Sequence, residues 1–169
     1  HTAPGLYSAL AYRGFFPVSD LPTLRHADSY LQGHPNMNLV PGVDMSTGSL
    51  GQGVSCAAGM AKGAKYLHQD VNVYTLLGDG EIAEGEVWEA FHFAYAHKLD
   101  NLIYFIDKNG YQLDGPTDDI LAHGDLAKKA ASFGLYTQEI NGHDLQAIYD
   151  AIQNAYAKKG VPSCIVLDT

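Results

Sequence analysis

The sequence is poor in several residue types, and each scarcity excludes a class of protein. Only two cysteines occur, Cys56 and Cys164, and neither lies in a metal-ligand spacing, so we expect both to be reduced residues of the core. Lysine and arginine number 10 against 19 acidic residues, and the formal net charge of −9 argues against nucleic acid and anionic membranes as partners. No apolar run approaches membrane-spanning length and no signal peptide opens the chain, so we expect a cytoplasmic protein.

The residues that are abundant indicate a folded domain. Hydrophobic residues make up 46% of the 169 and charged residues 17%, which is typical of a well-buried α/β protein rather than a disordered chain. This length is sufficient for one domain with a full core. The acidic balance does not exclude a phosphorylated substrate, because local donors and a metal decide phosphate binding.

Short apolar runs alternate with helical patterns along most of the chain. We expect strands at residues 71–77, 101–106, 135–140 and 163–167, and helices at 2–13, 48–68, 82–98, 124–133 and 144–159. Ser19 can cap a further short helix ending at Arg25, and Asp125 can cap the helix that follows it. Residues 26–47 form a long loop, of a length that is often functional. The alternation predicts an α/β fold in three layers, with a mostly parallel sheet flanked by helices.

The most informative stretch is Gly78-Asp79-Gly80, which follows the first predicted strand. Its glycines allow a sharp turn and a close approach of the backbone to a ligand. Asp79 lies at the carboxyl end of the strand, where open α/β sheets bind ligands. The next strand delivers Asp107 and Asn109 to the same edge of the sheet.

Asp79 and Asn109 offer hard oxygen ligands of the kind that magnesium or calcium accepts. A cation held there beside glycine-rich turns could also hold a diphosphate, since backbone N–H groups bind phosphate oxygens. The alternative is structural: Asp79 caps the following helix, and Asn109-Gly110 is only a turn. The short motif alone leaves both interpretations open.

Together with Glu84-Gly85 and Trp88-Glu89-Ala90, this stretch resembles the thiamine diphosphate motif of the transketolase family. Other signatures resemble those of the family and occur in its order: His1-Thr2-Ala3-Pro4-Gly5-Leu6-Tyr7, Gly33-His34-Pro35, Pro41-Gly42-Val43, Thr47-Gly48-Ser49-Leu50-Gly51-Gln52-Gly53 and Asp114-Gly115-Pro116-Thr117. The likeness extends over essentially the whole chain. It is greatest to the separate N-terminal subunit of split bacterial or archaeal transketolases.

The resemblance implies that residues 1–169 form one domain of the thiamine diphosphate-binding fold, the diphosphate domain, with more chain expected at both ends. It implies a transferase of the pentose phosphate pathway that moves a two-carbon ketol unit from a ketose phosphate to an aldose phosphate. The implied cofactors are thiamine diphosphate and Mg²⁺, for which Ca²⁺ or Mn²⁺ can substitute. The family's catalytic glutamate belongs to a pyrimidine-binding domain that this chain lacks. A C-terminal partner subunit would therefore complete the site, in an α2β2 heterotetramer that also pairs this chain with itself.

The resemblance also implies roles for individual residues at the cofactor. Asp79, Asn109 and the backbone carbonyl of Tyr111 would bind the metal, and Gly78 and Gly80 would approach the diphosphate. The thiazolium and aminopyrimidine rings would contact four further residues: Gly48, Ser49, Leu50 and Leu113. A second interpretation of residues 48–50, helix entry and core packing, is compatible with this one.

Two histidines and two glutamates complete the implied site. His34 would contact the first hydroxyl of the donor sugar, and His1 would lie near the diphosphate and the substrate channel. The alternative for both is an ordinary surface histidine. Glu84 and Glu89 would join a carboxylate network at the dimer interface, unless they only stabilise the positive end of a helix.

Other functions remain open beside transketolase. Deoxyxylulose-phosphate synthases and the E1 components of 2-oxo acid dehydrogenases share the diphosphate motif, although Gly33-His34-Pro35 and residues 47–53 favour transketolase. An inactive truncated fragment or a regulatory binding module is the non-enzymatic alternative. We reject a dinucleotide site at Gly51-Gln52-Gly53, because that fingerprint should follow a strand and residues 41–47 make a poor one.

Overall fold

The computed structural model describes residues 2–169 and has a mostly parallel central sheet flanked by helices. The strands are β1 Val73–Gly78, β2 Leu102–Lys108, β3 Tyr111–Gln112, β4 Gly115–Pro116, β5 Tyr136–Asn141 and β6 Ser163–Asp168. The α-helices are α1 Ala3–Tyr12, α2 Gln52–Tyr66, α3 Gly85–Ala96, α4 Thr117–Leu121, α5 Leu126–Ser132 and α6 Leu145–Ala157, and two 3₁₀-helices cover Val18–Thr23 and Gly80–Ala83. The expected α/β fold class is confirmed.

The chain divides into two compact units, and the first ends at Gly53. It contains α1, the first 3₁₀-helix and the long loop. Its core consists of apolar side chains from the helix and the loops around it: Ala3, Tyr7, Leu10, Ala11, Phe16, Leu31, Val40 and Val43. The Tyr7 hydroxyl donates a hydrogen bond of 2.7 Å to the Gln32 carbonyl, which ties α1 to the loop. Ser19 lies inside the 3₁₀-helix instead of capping it, because the helix begins one residue earlier, after Pro17.

The second unit, from Val54 to Thr169, holds the sheet. Its parallel strands occur in the order β1-β2-β6-β5, and a separate antiparallel pair joins β3 to β4. Successive side chains of a strand point to opposite faces. Leu102 and Tyr104 of β2 accordingly pack with α2, α3 and α5, while Ile103 packs with α6. Helices thus cover both faces of the sheet, as the three-layer expectation requires.

Two details of burial do not follow from the hydrophobicity of the residues. Strand β1 is not fully buried: among residues 2–169 it pairs with β2 alone, and Tyr74 and Leu76 are 48% and 49% exposed. Hydrophobicity indicates what a strand can bury, and does not specify whether a neighbour is present. On α6, Leu145 is 82% exposed, while Ala151 is buried against the sheet.

The two cysteines are free, and burial separates them. Cys164 is buried in β6, where burial raises the pKa of its thiol to about 12 and keeps it protonated. Cys56 on α2 is only half-buried. Within the part of the chain that the structure describes, no helix has both the length and the apolar character needed to span a bilayer.

Aspartates cap two helices, and the sequence indicates the first of these caps, at Asp125. Asp125 accepts a hydrogen bond from the Lys128 N–H, and Asp144 accepts from the N–H groups of Gln146 and Ala147. Each bond satisfies a donor that the first helical turn would leave without a partner.

We predict that Asp144→Ala lowers the free energy of unfolding by about 0.5–2 kcal/mol, because two N–H groups of α6 lose their acceptor. Urea denaturation would measure the change. Asp144→Asn is the matched control, since its amide oxygen can accept the same bonds. Equal midpoints for the two variants would contradict the capping role.

Candidate functional site

The carboxyl ends of β1 and β2 form the centre of the candidate site. The two strands are parallel neighbours, and Gly78 at the end of β1 is in register with Asp107 near the end of β2. Because the strands end together, the turn after β1 and the turn after β2 occupy the same edge of the sheet. Asp79 follows the first strand, and the turn at residues 109–111 follows the second.

Asp79 is a buried carboxylate that reaches across to the neighbouring turn. Its side chain is 3% exposed, and its Oδ2 accepts a hydrogen bond of 2.6 Å from the Gly110 N–H. It occupies the N-cap position of the 3₁₀-helix Gly80–Ala83, but its side chain makes no capping hydrogen bond. The carboxylate therefore joins two strand ends rather than capping the helix after it.

Asn109 is oriented by hydrogen bonds at both ends of its amide. Its Nδ2 donates to Asp107 Oδ2 at 3.1 Å, and its Oδ1 accepts from the Tyr111 N–H at 2.9 Å. The turn is completed by Gly110, whose φ of 75° lies in the left-handed region. Asn109 is therefore both a turn residue, as one sequence interpretation had it, and an exposed amide oxygen near Asp79.

These residues make an oxygen-rich donor set. A carboxylate, an amide oxygen and the backbone carbonyl of Tyr111 lie within two adjoining turns. Within residues 2–169, no group of three or more His, Cys, Asp or Glu side chains could hold a metal ion. Any cation at this edge would therefore depend on amide and backbone oxygens, which suits Mg²⁺ or Ca²⁺ better than zinc.

Sequence reasoning missed a charged network beside this donor set. Lys108 Nζ lies 2.8 Å from Glu139 Oε1 and 3.5 Å from Asp168 Oδ1, linking the ends of β2, β5 and β6. The hydrogen bond to Glu139 is the main cause that raises the pKa of Lys108 above its ordinary value. Asp107 accepts a further bond of 2.6 Å from Thr169 Oγ1. The position of Asp107, two residues before Asn109, was the sequence signal that could have revealed its role.

Gly78 and Gly80 leave open space at the turn after β1. A Cβ atom added at Gly78 would meet nothing within 4 Å, and one at Gly80 would make an ordinary contact with the Gln112 side chain, at 3.6 Å. Neither glycine adopts a positive φ. The described residues therefore give neither position a conformational need for glycine, and the space beside Gly78 is available to a ligand.

In the first unit, two separately predicted motifs meet. Gly48 has a φ of 126°, and a Cβ atom there would lie 2.4 Å from His34 Cγ. The Thr47 N–H donates a hydrogen bond of 3.2 Å to the Pro35 carbonyl, which holds the two loop segments together. The exposed His34 side chain therefore stacks on backbone that only glycine permits, next to the exposed Ser49 and Leu50.

The remaining predicted residues lie at the surface. Leu113 is 86% exposed at the tip between β3 and β4, and Tyr111 in β3 is also exposed. Glu84 precedes α3 and Glu89 lies on it, and both side chains are exposed. His1 lies outside the described residues.

We predict that Gly48→Ala lowers the free energy of unfolding by about 1–3 kcal/mol, because alanine disfavours this φ and its Cβ would clash with the His34 ring. Urea denaturation of the variant and the parent would test it. In the double variant with His34→Ala the clash is removed, so part of the loss should be recovered while the backbone strain persists.

Gly5→Ala is the control for this prediction. Gly5 lies in α1, and an added Cβ there meets nothing within 4 Å, so alanine should preserve or raise stability. If Gly48→Ala were as stable as Gly5→Ala, the contact between His34 and Gly48 would not be as described.

The chain resembles known proteins over its whole length. The family model "Transketolase, thiamine diphosphate binding domain" matches residues 1–169. Over its full length the chain is 44% identical to the 6-deoxy-6-sulfo-D-fructose transketolase subunit SqwG of Clostridium sp. (strain MSTE9) and covers 62% of that protein. It is 42% identical to an apulose-4-phosphate transketolase subunit of Actinobacillus succinogenes and covers 61% of it. The chain thus spans less than two thirds of the length of these relatives.

Solved structures show the same relationship. A transketolase from Pichia stipitis superposes with a TM-score of 0.90 at 33% identity, covering 97% of this chain and 26% of the other. The transketolase from Campylobacter jejuni superposes with a TM-score of 0.86 at 34% identity, covering 96% of this chain and 26% of the other. The chain therefore belongs to the transketolase family and corresponds to that family's thiamine diphosphate-binding domain.

Proposed function

We propose that the protein is the N-terminal subunit of a split transketolase, which uses thiamine diphosphate and Mg²⁺ to transfer a two-carbon ketol unit between sugar phosphates. The observation that carries the proposal is the buried Asp79 carboxylate, hydrogen-bonded to the Gly110 N–H within the turn that also presents Asn109. Membership of the family supplies the cofactor, and this donor set supplies chemistry that fits its metal and diphosphate.

The fit of a hard cation follows from the donors themselves. Asp79 is almost fully buried, and among the described residues Gly110 alone is its hydrogen-bond donor. A buried carboxylate with so few donors gains from a cation that also holds other oxygens. Asp79, Asn109 Oδ1 and the Tyr111 carbonyl would hold Mg²⁺, and the open space at Gly78, with Gly80 in the same turn, would admit the diphosphate.

The cofactor and the protein chain would contribute different parts of the reaction. When bound, thiamine diphosphate supplies the nucleophilic carbon that cleaves a ketose and carries the two-carbon unit to an aldose. The chain binds and orients: residues 48–50 and the exposed Leu113 would contact the cofactor rings. His34, fixed against Gly48, would hydrogen-bond the first hydroxyl of the donor sugar.

A partner chain is part of the proposal. The relatives named as subunits support an assembly in which a pyrimidine-domain chain completes the site. Glu84 and Glu89, neither of them fully buried, are then available for a carboxylate network between two copies of this chain in an α2β2 assembly. The relatives' names indicate sulfofructose and apulose 4-phosphate as their own substrates, so the donor for this protein is sought among ketose phosphates and related sugars.

Ketol transfer tests the proposed function directly. The full-length protein is mixed with a pyrimidine-domain partner, thiamine diphosphate and Mg²⁺, and offered a ketose phosphate with an aldose phosphate. We expect transfer in the mixture and none when either protein is assayed by itself. Pyruvate replaces the ketose in a parallel assay, and consumption of pyruvate without ketol transfer would favour a deoxyxylulose-phosphate synthase or 2-oxo acid dehydrogenase reaction instead.

We predict that Asp79→Ala abolishes Mg²⁺-dependent binding of thiamine diphosphate, a loss beyond the roughly 10–100-fold typical of residues that only support a ligand. Isothermal titration calorimetry would measure it. The control variant, Asp150→Ala, lacks an exposed acidic residue of α6 and should bind thiamine diphosphate normally. Unchanged binding by Asp79→Ala would overturn the assignment of the metal site.

Gly78→Ala tests the diphosphate space without removing a buried charge. The added Cβ meets no protein atom within 4 Å, so the free energy of unfolding should be preserved. Binding of thiamine diphosphate should weaken, because the methyl group occupies the space proposed for phosphate oxygens. The comparison of calorimetry with urea denaturation separates the two effects, and normal affinity would exclude close approach of the diphosphate at Gly78.

A further inference from the structure

The orientation of the Asn109 amide decides whether it can bind a cation. A side-chain amide has an acceptor oxygen at one end and an NH₂ donor at the other, and the two ends have nearly the same shape. Only the oxygen can coordinate a metal. Asn109 is exposed, so packing alone does not hold its side chain in one orientation.

Asp107 supplies the group that distinguishes the two ends. Its Oδ2 accepts from Asn109 Nδ2 at 3.1 Å, and an ionised carboxylate is an acceptor only. The opposite orientation of the amide would bring its oxygen against the carboxylate. It would also turn the NH₂ group toward the Tyr111 N–H, which now donates to Asn109 Oδ1 at 2.9 Å.

Asp107 is itself held in place. Its backbone lies in β2, in register with Gly78 of β1 on one side and Leu167 of β6 on the other. Its Oδ1 accepts a hydrogen bond of 2.6 Å from Thr169 Oγ1, so both carboxylate oxygens have a partner.

We propose that Asp107 is a positioning residue for the metal site: it fixes the Asn109 amide with its oxygen directed away from the carboxylate and toward the cation. This inference rests on the proposed function, in which Asn109 binds the metal. Two rival roles make different predictions. Asp107 could act by its charge alone, or it could bind the metal directly.

The neighbouring carboxylates allow these roles to be separated. Glu139 lies at the same edge of the sheet and pairs with Lys108, without a hydrogen bond to Asn109. Glu139→Gln therefore removes one charge from this edge while the amide of Asn109 keeps its partner. Asp107→Asn also removes a charge, but its amide oxygen can still accept from Asn109 while its NH₂ donates to Thr169 Oγ1.

The test measures Mn²⁺ affinity by electron paramagnetic resonance in the full-length protein, in the presence of thiamine diphosphate and the pyrimidine-domain partner. We expect Asp107→Ala to weaken Mn²⁺ binding about 10–100-fold, the range typical of residues that orient metal ligands. The Mn²⁺ affinities of Asp107→Asn and Glu139→Gln should stay within about threefold of the parent's affinity, a change smaller than that range. Urea denaturation of each variant shows that it is folded.

A double-mutant cycle with Asn109→Ala completes the test. If Asp107 acts through Asn109, Asp107→Ala should cause no further loss of Mn²⁺ affinity once Asn109 is alanine. Additive losses would overturn the proposal in favour of direct metal binding, and equal losses in Asp107→Ala and Asp107→Asn would overturn it in favour of charge. Normal affinity in Asp107→Ala would refute it outright. If the parent protein itself bound no Mn²⁺, the metal site of the proposed function would fail instead.

Discussion

The hydrogen bond from the Gly110 N–H to the Asp79 carboxylate joins the ends of two neighbouring parallel strands. Parallel strands present their carboxyl ends at one edge of a sheet, and the register of Gly78 with Asp107 brings their turns together there. Without this bond a carboxylate that is 3% exposed would have no donor among the residues that the structure describes, and an unpaired buried carboxylate is costly in a protein interior. The candidate metal site therefore depends on strand register first and on side chains second.

The groups of the candidate site are suited to holding a cation and a cofactor in position rather than to reacting with a substrate themselves. Its donors are oxygens of a carboxylate, an amide and the backbone, which favour a hard cation. Around them, polar groups hold one another: Thr169 and Asn109 donate to Asp107, while Lys108 joins Glu139 and Asp168. The two ion pairs of Lys108 connect the ends of β2, β5 and β6. Such pre-arranged donors are what a cofactor enzyme needs, because the protein's contribution is binding and orientation.

The two units of the chain present their candidate residues differently. In the unit that ends at Gly53, the His34 ring lies against Gly48, where a positive φ and a close contact both require glycine. In the unit that begins at Val54, Gly78 adopts ordinary backbone angles beside open space. The first glycine therefore has a reason within the protein itself. Gly78 needs to be glycine only if a ligand approaches it closely. Gly48 is therefore a structural glycine, whereas Gly78 is a candidate functional one.

Local patterns and motifs in the sequence were sufficient to predict the alternation of strands and helices, the cap at Asp125 and the family. Tertiary structure alone decided that β1 is an edge strand and that small alanines, not Leu145, lie against the sheet. It also decided which partner each polar group at the strand ends takes. The sequence left the Asp79 carboxylate with two possible roles, and the register of β1 against β2 brought it to Gly110. Local chemistry specifies what a residue can do, whereas strand pairing specifies what it meets.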